Sequence, residues 1–230
     1  ALLSRGLGDV YKRQVLMGVL LDFLDGIAAR LLNTESNFGK QLDSLSDIVT
    51  SGVVPGIVVY QLFKLSGNRV LDFDLISYIN PIFNLDLVFS ISPVAFIAFL
   101  ITLGSAVRLA KFNTSDYTDE FEGLPTPANA LFFVAFPLLI DHVYLLESKE
   151  YLLNNYTLIT LTISSVILMN VPFRLFSLRI SLRKYDYNIF KVLTIVLSIP
   201  LIIIFGLGGF SLVIILYLFL NVIRNLWTLI

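Results

Sequence analysis

Long apolar stretches dominate the chain, recurring at about 45–63, 91–112, 126–146, 152–171, 188–206 and 209–229, with an incomplete seventh beginning at Val15. The complete stretches approach the roughly 17 to 25 residues that a helix needs to cross the hydrocarbon layer. They lack the period-two alternation of a barrel strand, and in lipid every backbone N–H and C=O must be paired within its own segment. The pattern predicts an all-α, polytopic membrane bundle of about seven transmembrane helices. Residues 1–14, ALLSRGLGDVYKRQ, break this pattern: they are polar, patternless and stop abruptly at Val15. They resemble translated adaptor sequence and are expected to be non-native. The rest divides into a membrane core at 15–172, a basic loop at 173–187 and a C-terminal hairpin at 188–230, turned at Gly206, Gly208 and Gly209.

Composition supports lipid as the solvent. The chain is 57% hydrophobic and 14% charged, with a mean hydropathy of +0.84, where a soluble domain has roughly a quarter of its residues charged. It has no cysteine, so a disulfide framework and a thiolate metal site are both excluded. The net charge of −1 says little about partners, and no nucleic-acid partner is expected. The placing of charge says more. Arg30 and Lys40, Arg108 and Lys111, the cluster Arg174, Arg179, Arg183, Lys184 and Lys191, and Arg224 fall at alternate helix ends. The other ends carry only Lys64, Arg69 and Lys149, and the connection from about Ser66 to Ser90 holds Asp72, Asp74 and Asp86. The positive-inside rule turns the first set toward the cytoplasm.

Within this apolar background lies LDFLDGIAARLLNTESNFGKQLDSLSD, which puts Asp22, Asp25, Asp43 and Asp47 in or beside membrane-length helices. Four unpaired carboxylates deep in the bilayer would cost on the order of 10 kcal/mol, so they must lie near the interface, be compensated by cations, or both. Asp22 and Asp25 are three apart and Asp43 and Asp47 four apart, so each pair occupies one helical face. Gly26 follows Asp22 by a turn and Gly39 precedes Asp43 by a turn, and such small residues let a bulky ligand approach the backbone. With 31–38 as the connecting turn, the two acidic faces can converge across one cleft. Converging carboxylates either take up protons or bind a cation, and an all-oxygen ligand set suits Mg2+ or Mn2+. Two such ions bridging a pyrophosphate would neutralise charge as a bond to a leaving nucleotide breaks. Helix caps of a transporter or structural bundle would explain one aspartate. They do not explain D-x-x-D-G-x-x-A-R followed after eight residues by G-x-x-x-D-x-x-x-D, which arises by chance roughly once in ten billion starting positions.

At Asp22, Asp25, Gly26, Ala29, Arg30, Gly39, Asp43 and Asp47 the chain resembles, without gaps, the motif of the CDP-alcohol phosphatidyltransferase family. The resemblance implies a six-helix membrane core, a homodimer, and a cytoplasm-facing cleft for two divalent ions and CDP-diacylglycerol. It also implies metal ligation by the four aspartates, a base role for Asp47, and a nucleotide site lined by Gly26, Ala29, Arg30 and Gly39. Two further segments, AVRLAKFN at 106–113 and GLPTPANA at 123–130, are similar to those of bacterial members that use L-serine as the acceptor. The implied reaction joins a phosphatidyl group to serine and releases CMP, at the bacterial inner membrane. The family has a further N-terminal helix with polar residues at the nucleotide, where this chain has 1–14, so an N-terminally truncated chain is expected.

Arg108 and Lys111 lie three apart at a cytoplasmic helix end, where both can be snorkelling anchors. Arg108 is weighted toward gripping a phosphate or the acceptor carboxylate, because a guanidinium does so at two points and an ammonium does not. Pro125 and Thr126, where the chain re-enters the membrane, join it as acceptor-site candidates, while Pro in the first turn is also an ordinary helix start. His142 beside Asp141 reads as an interfacial residue remote from the acids, and Gly52, Pro55 and Gly56 as a bend or a close helix contact. The alternatives are glycerol 3-phosphate or an inositol phosphate as acceptor, which would want extra cations near the cleft, and a cation-coupled transporter, which would leave the glycine and Ala-Arg positions unexplained.

Overall fold

The computed structural model describes residues 17–18, 37–66, 93–114, 121–176 and 189–227. Each complete apolar run becomes helix. Helix α1 (Asn37–Ile48) passes through a π-helical segment (Val49–Val53) into α2 (Val54–Leu65), and a 3-10 turn (Pro93–Phe99) leads into α3 (Leu100–Thr114). Then come strand β1 (Phe121–Glu122), α4 (Thr126–Ile140), the short α5 (Lys149–Leu152), α6 (Asn155–Asn170), β2 (Arg174–Leu175), α7 (Ile189–Phe205) and α8 (Gly209–Trp227). The connecting turn expected at 31–38 ends sooner, because Asn37 and Phe38 already belong to α1.

Among the described residues three stretches are long and apolar enough to cross a membrane: Gln41–Leu65, Pro93–Asn113 and Ile189–Trp227. The last, 39 residues long, is two helices. Gly206 adopts a positive φ of 58°, and a Cβ on Gly209 would lie 2.5 Å from the Leu201 carbonyl oxygen, so α7 and α8 fold back on each other at these glycines. Helices α4 and α6, with 15 and 16 residues, are shorter than the runs that predict them. The first is ended by the turn at Asp141 and His142, and the second starts only where the Asn154 side chain accepts from Tyr156 N–H at 3.0 Å.

The packing follows the small residues. A Cβ on Gly56 would meet Thr102 Oγ1 at 2.8 Å and one on Gly52 would meet Ser105 Cβ at 3.2 Å, so α1–α2 lies almost backbone-to-side-chain against α3. Around this seam Val59, Leu62, Phe63, Ile101, Phe133 and Phe136 form one buried core. A second core gathers Leu124, Met169, Leu175 and Phe176 against Tyr217 and Leu220 of α8. The outward faces, such as Val192, Val196, Ile199 and Ile203 of α7, stay apolar and exposed, which is stable only with lipid as their solvent.

Candidate active site

Asp43 and Asp47 stand one turn apart on α1, which puts their Cβ atoms roughly 5–6 Å from each other. Along this line Gly39 and Asp43 are exposed, Asp47 is half-buried and Ser51 is fully buried, so the acidic face descends from the rim into the bundle. A neighbouring stripe of Phe38, Leu42, Leu45 and Val49 is exposed and apolar, facing lipid.

Directly after Asp47 the helix widens. The N–H of Val54 bonds Val49 O in the π pattern, and Pro55 has no N–H to offer the carbonyl a turn before it. Donors from α3 fill that need: Ser105 Oγ donates to Ser51 O at 3.4 Å and Thr102 Oγ1 to Gly52 O at 3.0 Å. Nearer the rim, Asn113 Nδ2 donates to Ser44 Oγ at 2.9 Å. The paired positions run in opposite senses, 44 with 113, 51 with 105 and 56 with 102, so the two segments are antiparallel. Arg108 therefore lies on α3 at the level of Asp47.

Arg108 is itself held by the loop before α4. Its Nη2 donates to Gly123 O at 3.4 Å, while its buried Nε has no hydrogen-bond partner. Gly123 has a positive φ of 73°, and a Cβ there would lie 2.5 Å from Met169 O, so glycine is required on both counts. Its N–H bonds Phe173 O at 3.0 Å, the next N–H bonds Leu168 O at 2.8 Å, and Phe121 and Glu122 pair antiparallel with Leu175 and Arg174. Beyond this strap Pro125 caps α4 in extended conformation, and Thr126 and Asn129 follow fully buried on the first turn. Asn129 Oδ1 accepts from Ser165 Oγ at 2.8 Å.

Of the candidate residues, the structure thus joins Gly39, Asp43 and Asp47 on one face and sets Arg108, Pro125 and Thr126 on the elements packed beside it. Asp22, Asp25, Gly26, Ala29 and Arg30 lie outside the described residues. Among the described residues no three carboxylate or imidazole side chains converge; Asp43 and Asp47 are a pair of carboxylates that could hold one side of a cation. His142 is far from them: it closes the opposite end of α4, about 20 Å away, with its ring against Tyr144 and Phe205.

A family model for CDP-alcohol phosphatidyltransferases matches residues 14–171, which contain the whole acidic motif and α1 to α6. The chain belongs to the CDP-alcohol phosphatidyltransferase family. It is accordingly an integral membrane enzyme of phosphatidyl transfer, in a family that generally depends on divalent metal. It is 28% identical over 216 residues to a CDP-diacylglycerol–serine O-phosphatidyltransferase of Helicobacter pylori, covering 93% of this chain and 78% of that protein. It is 34% identical over 134 residues to the enzyme so named in Methanocaldococcus jannaschii, covering 58% of this chain and 53% of that one. An archaetidylserine synthase of Methanothermobacter thermautotrophicus is 34% identical over 127 residues, covering 54% and 44%.

Sequence reasoning missed Ser51, Thr102 and Ser105, which brace this candidate site, and did not single out Asn129 within the segment at 123–130. The available signal was weak: isolated Ser, Thr or Asn in apolar runs, of the kind that also simply pack helices.

Proposed function

We propose that this phosphatidyltransferase uses L-serine as its acceptor, converting CDP-diacylglycerol and serine to phosphatidylserine and CMP at the cytoplasmic face of a bacterial inner membrane, as a homodimer. The observation that carries the catalytic reading is the descent of one helical face from exposed Asp43 to half-buried Asp47, level with Arg108 on α3. The names of the relatives in Helicobacter and Methanocaldococcus favour serine over other acceptors.

Asp22, Asp25, Asp43 and Asp47 form the ligand set for two ions, Mg2+ or Mn2+, and the oxygen donors and rim exposure of Asp43 fit a hard, hydrated cation. Bound there, the ions would polarise the phosphoryl oxygens and offset charge on the departing CMP. Gly26, Ala29, Arg30 and Gly39 leave room and supply charge for the nucleotide. Arg108 and the Pro125–Thr126 turn bind the acceptor, the guanidinium meeting its carboxylate. Asp47 accepts the proton of the serine hydroxyl. The hydroxyl oxygen bonds the phosphorus that carries diacylglycerol, and the bond from that phosphorus to the CMP oxygen breaks.

The test is CMP release by the chain in lipid nanodiscs given CDP-diacylglycerol, Mn2+ and, separately, serine, glycerol 3-phosphate or inositol phosphate. Release with serine is expected; release with glycerol 3-phosphate alone rejects the acceptor, and ion transport with no CMP from any acceptor rejects the reaction class.

A further inference from the structure

Among the described residues, seven buried side-chain atoms have no hydrogen-bond partner, and four of these, Ser51 Oγ, Arg108 Nε, Thr126 Oγ1 and Asn129 Nδ2, belong to the elements that meet beside Asp47. Ser51 lies on the π segment, one turn below Asp47; that segment packs on both α3, which carries Arg108, and α4, which carries Thr126 and Asn129. Buried polar atoms in proteins are nearly always paired, and in a lipid-immersed bundle an orphan has no bulk water to fall back on. Orphans on three elements that pack on one another therefore point to a polar ligand between those elements.

The chemistry of the four narrows that ligand. Arg108 brings a fixed positive charge, with one nitrogen tied to Gly123 O and Nε left over. Asn129 has its carbonyl engaged by Ser165, which leaves its amide N–H groups. Thr126 and Ser51 add hydroxyls at 0% exposure. The set is rich in donors and carries no carboxylate, so it suits a small anion with planar oxygens more than a cation or an apolar group.

We propose that Asn129 and Ser51 are acceptor-specificity residues, which with Arg108 and Thr126 bind the α-carboxylate of a small hydroxy amino acid. Held there, the ligand's hydroxyl reaches up toward Asp47, one turn above Ser51. This rests on the acceptor reading given above and adds to it the two residues that make carboxylate recognition selective. An acceptor without the carboxylate, such as ethanolamine, leaves the donors unpaired and is refused for that reason.

The experiment measures KM for serine, KM for CDP-diacylglycerol, kcat and thermal midpoint for the nanodisc-embedded chain and for Asn129→Leu, Asn129→Ser and Ser51→Ala. Asn129→Leu should raise the serine KM about ten- to a hundredfold, the ordinary worth of a hydrogen bond to a charged group. CDP-diacylglycerol KM should stay within twofold, and the preference for serine over ethanolamine should shrink. Asn129→Ser, which keeps a donor, should recover part of the serine KM, and Ser51→Ala should raise it by a smaller factor. If Asn129→Leu does not fold, the Asn129→Ser and Ser51→Ala comparison decides. Serine KM within twofold of the parent in the folded variants overturns the inference alone. So does a uniform loss in kcat and both KM values with a lowered midpoint, the mark of a packing role. A parent that releases no CMP with serine overturns the acceptor reading and this inference with it.

Discussion

Asp43 and Asp47 share a helix, a face and a chemistry, yet they differ in exposure. Asp43 is open at the rim, and Asp47 is half-buried where the helix begins to widen. That difference suits a ligand that exchanges with hydrated metal above and a group that must hold a proton away from water below. Replacing Asp47 with Asn keeps shape and one ligand oxygen but removes basicity. It should lower turnover by about 100- to 10,000-fold, as loss of a general base does, while CDP-diacylglycerol binding with Mn2+ stays near the parent's. Asp43→Asn should instead weaken metal binding and regain part of its turnover at high Mn2+. Turnover and Mn2+ titration of both variants, at matched helix content, check this; rescue of Asp47→Asn by excess metal would make it a ligand only.

At the scale of elements, the decisive feature is the seam between α1–α2 and α3. Pro55 removes a helical donor, the chain widens, and Thr102 and Ser105 close the exposed carbonyls from the side. The seam is possible because Gly52 and Gly56 keep the helices close. Gly56→Ala would put a Cβ at 2.8 Å from Thr102 Oγ1, and it should destabilise the folded chain by about 1–3 kcal/mol as overpacking does. Thr102→Ala should cost stability by itself, yet combined with Gly56→Ala it should cost less than the sum, because the clash disappears with the hydroxyl. Thermal or denaturant midpoints of the four proteins measure that coupling, and strict additivity would show that the two side chains do not meet. Much of this level was legible in the sequence. The apolar runs marked the helices, the glycines at 206, 208 and 209 marked the hairpin, and Gly52, Pro55 and Gly56 marked a bend or close contact. The π segment was not, because widening depends on donors supplied by another helix. Nor was the β1–β2 strap, since two paired residues carry no readable period, and its register is set by Gly123 against Met169 and by α8.

At the scale of the molecule, the two cores divide the labour. The first core fixes the seam that carries Asp43 and Asp47, and the second holds the strap against α8. In that second core Asn221 Oδ1 accepts from Phe176 N–H at 2.9 Å and Tyr217 Oη donates to Phe176 O at 2.8 Å. The C-terminal hairpin thus reaches the site at second hand: α8 anchors Phe176, the residue after β2, which pairs with β1, whose following glycine accepts from Arg108. The sequence alone marked this hairpin by its two apolar runs and its glycine turn, whereas its link to Arg108 depends on side-chain contacts across three elements. In the reaction proposed above all these parts serve one displacement, in which each serine joined to lipid releases one CMP. The direct measurement supplies the nanodisc-embedded chain with CDP-diacylglycerol, Mn2+ and isotope-labelled L-serine, then quantifies labelled lipid and CMP together by mass spectrometry. One mole of labelled phosphatidylserine per mole of CMP, abolished by chelation of the metal, is the predicted result; CMP formed without labelled lipid, or in equal amount without serine, would contradict it.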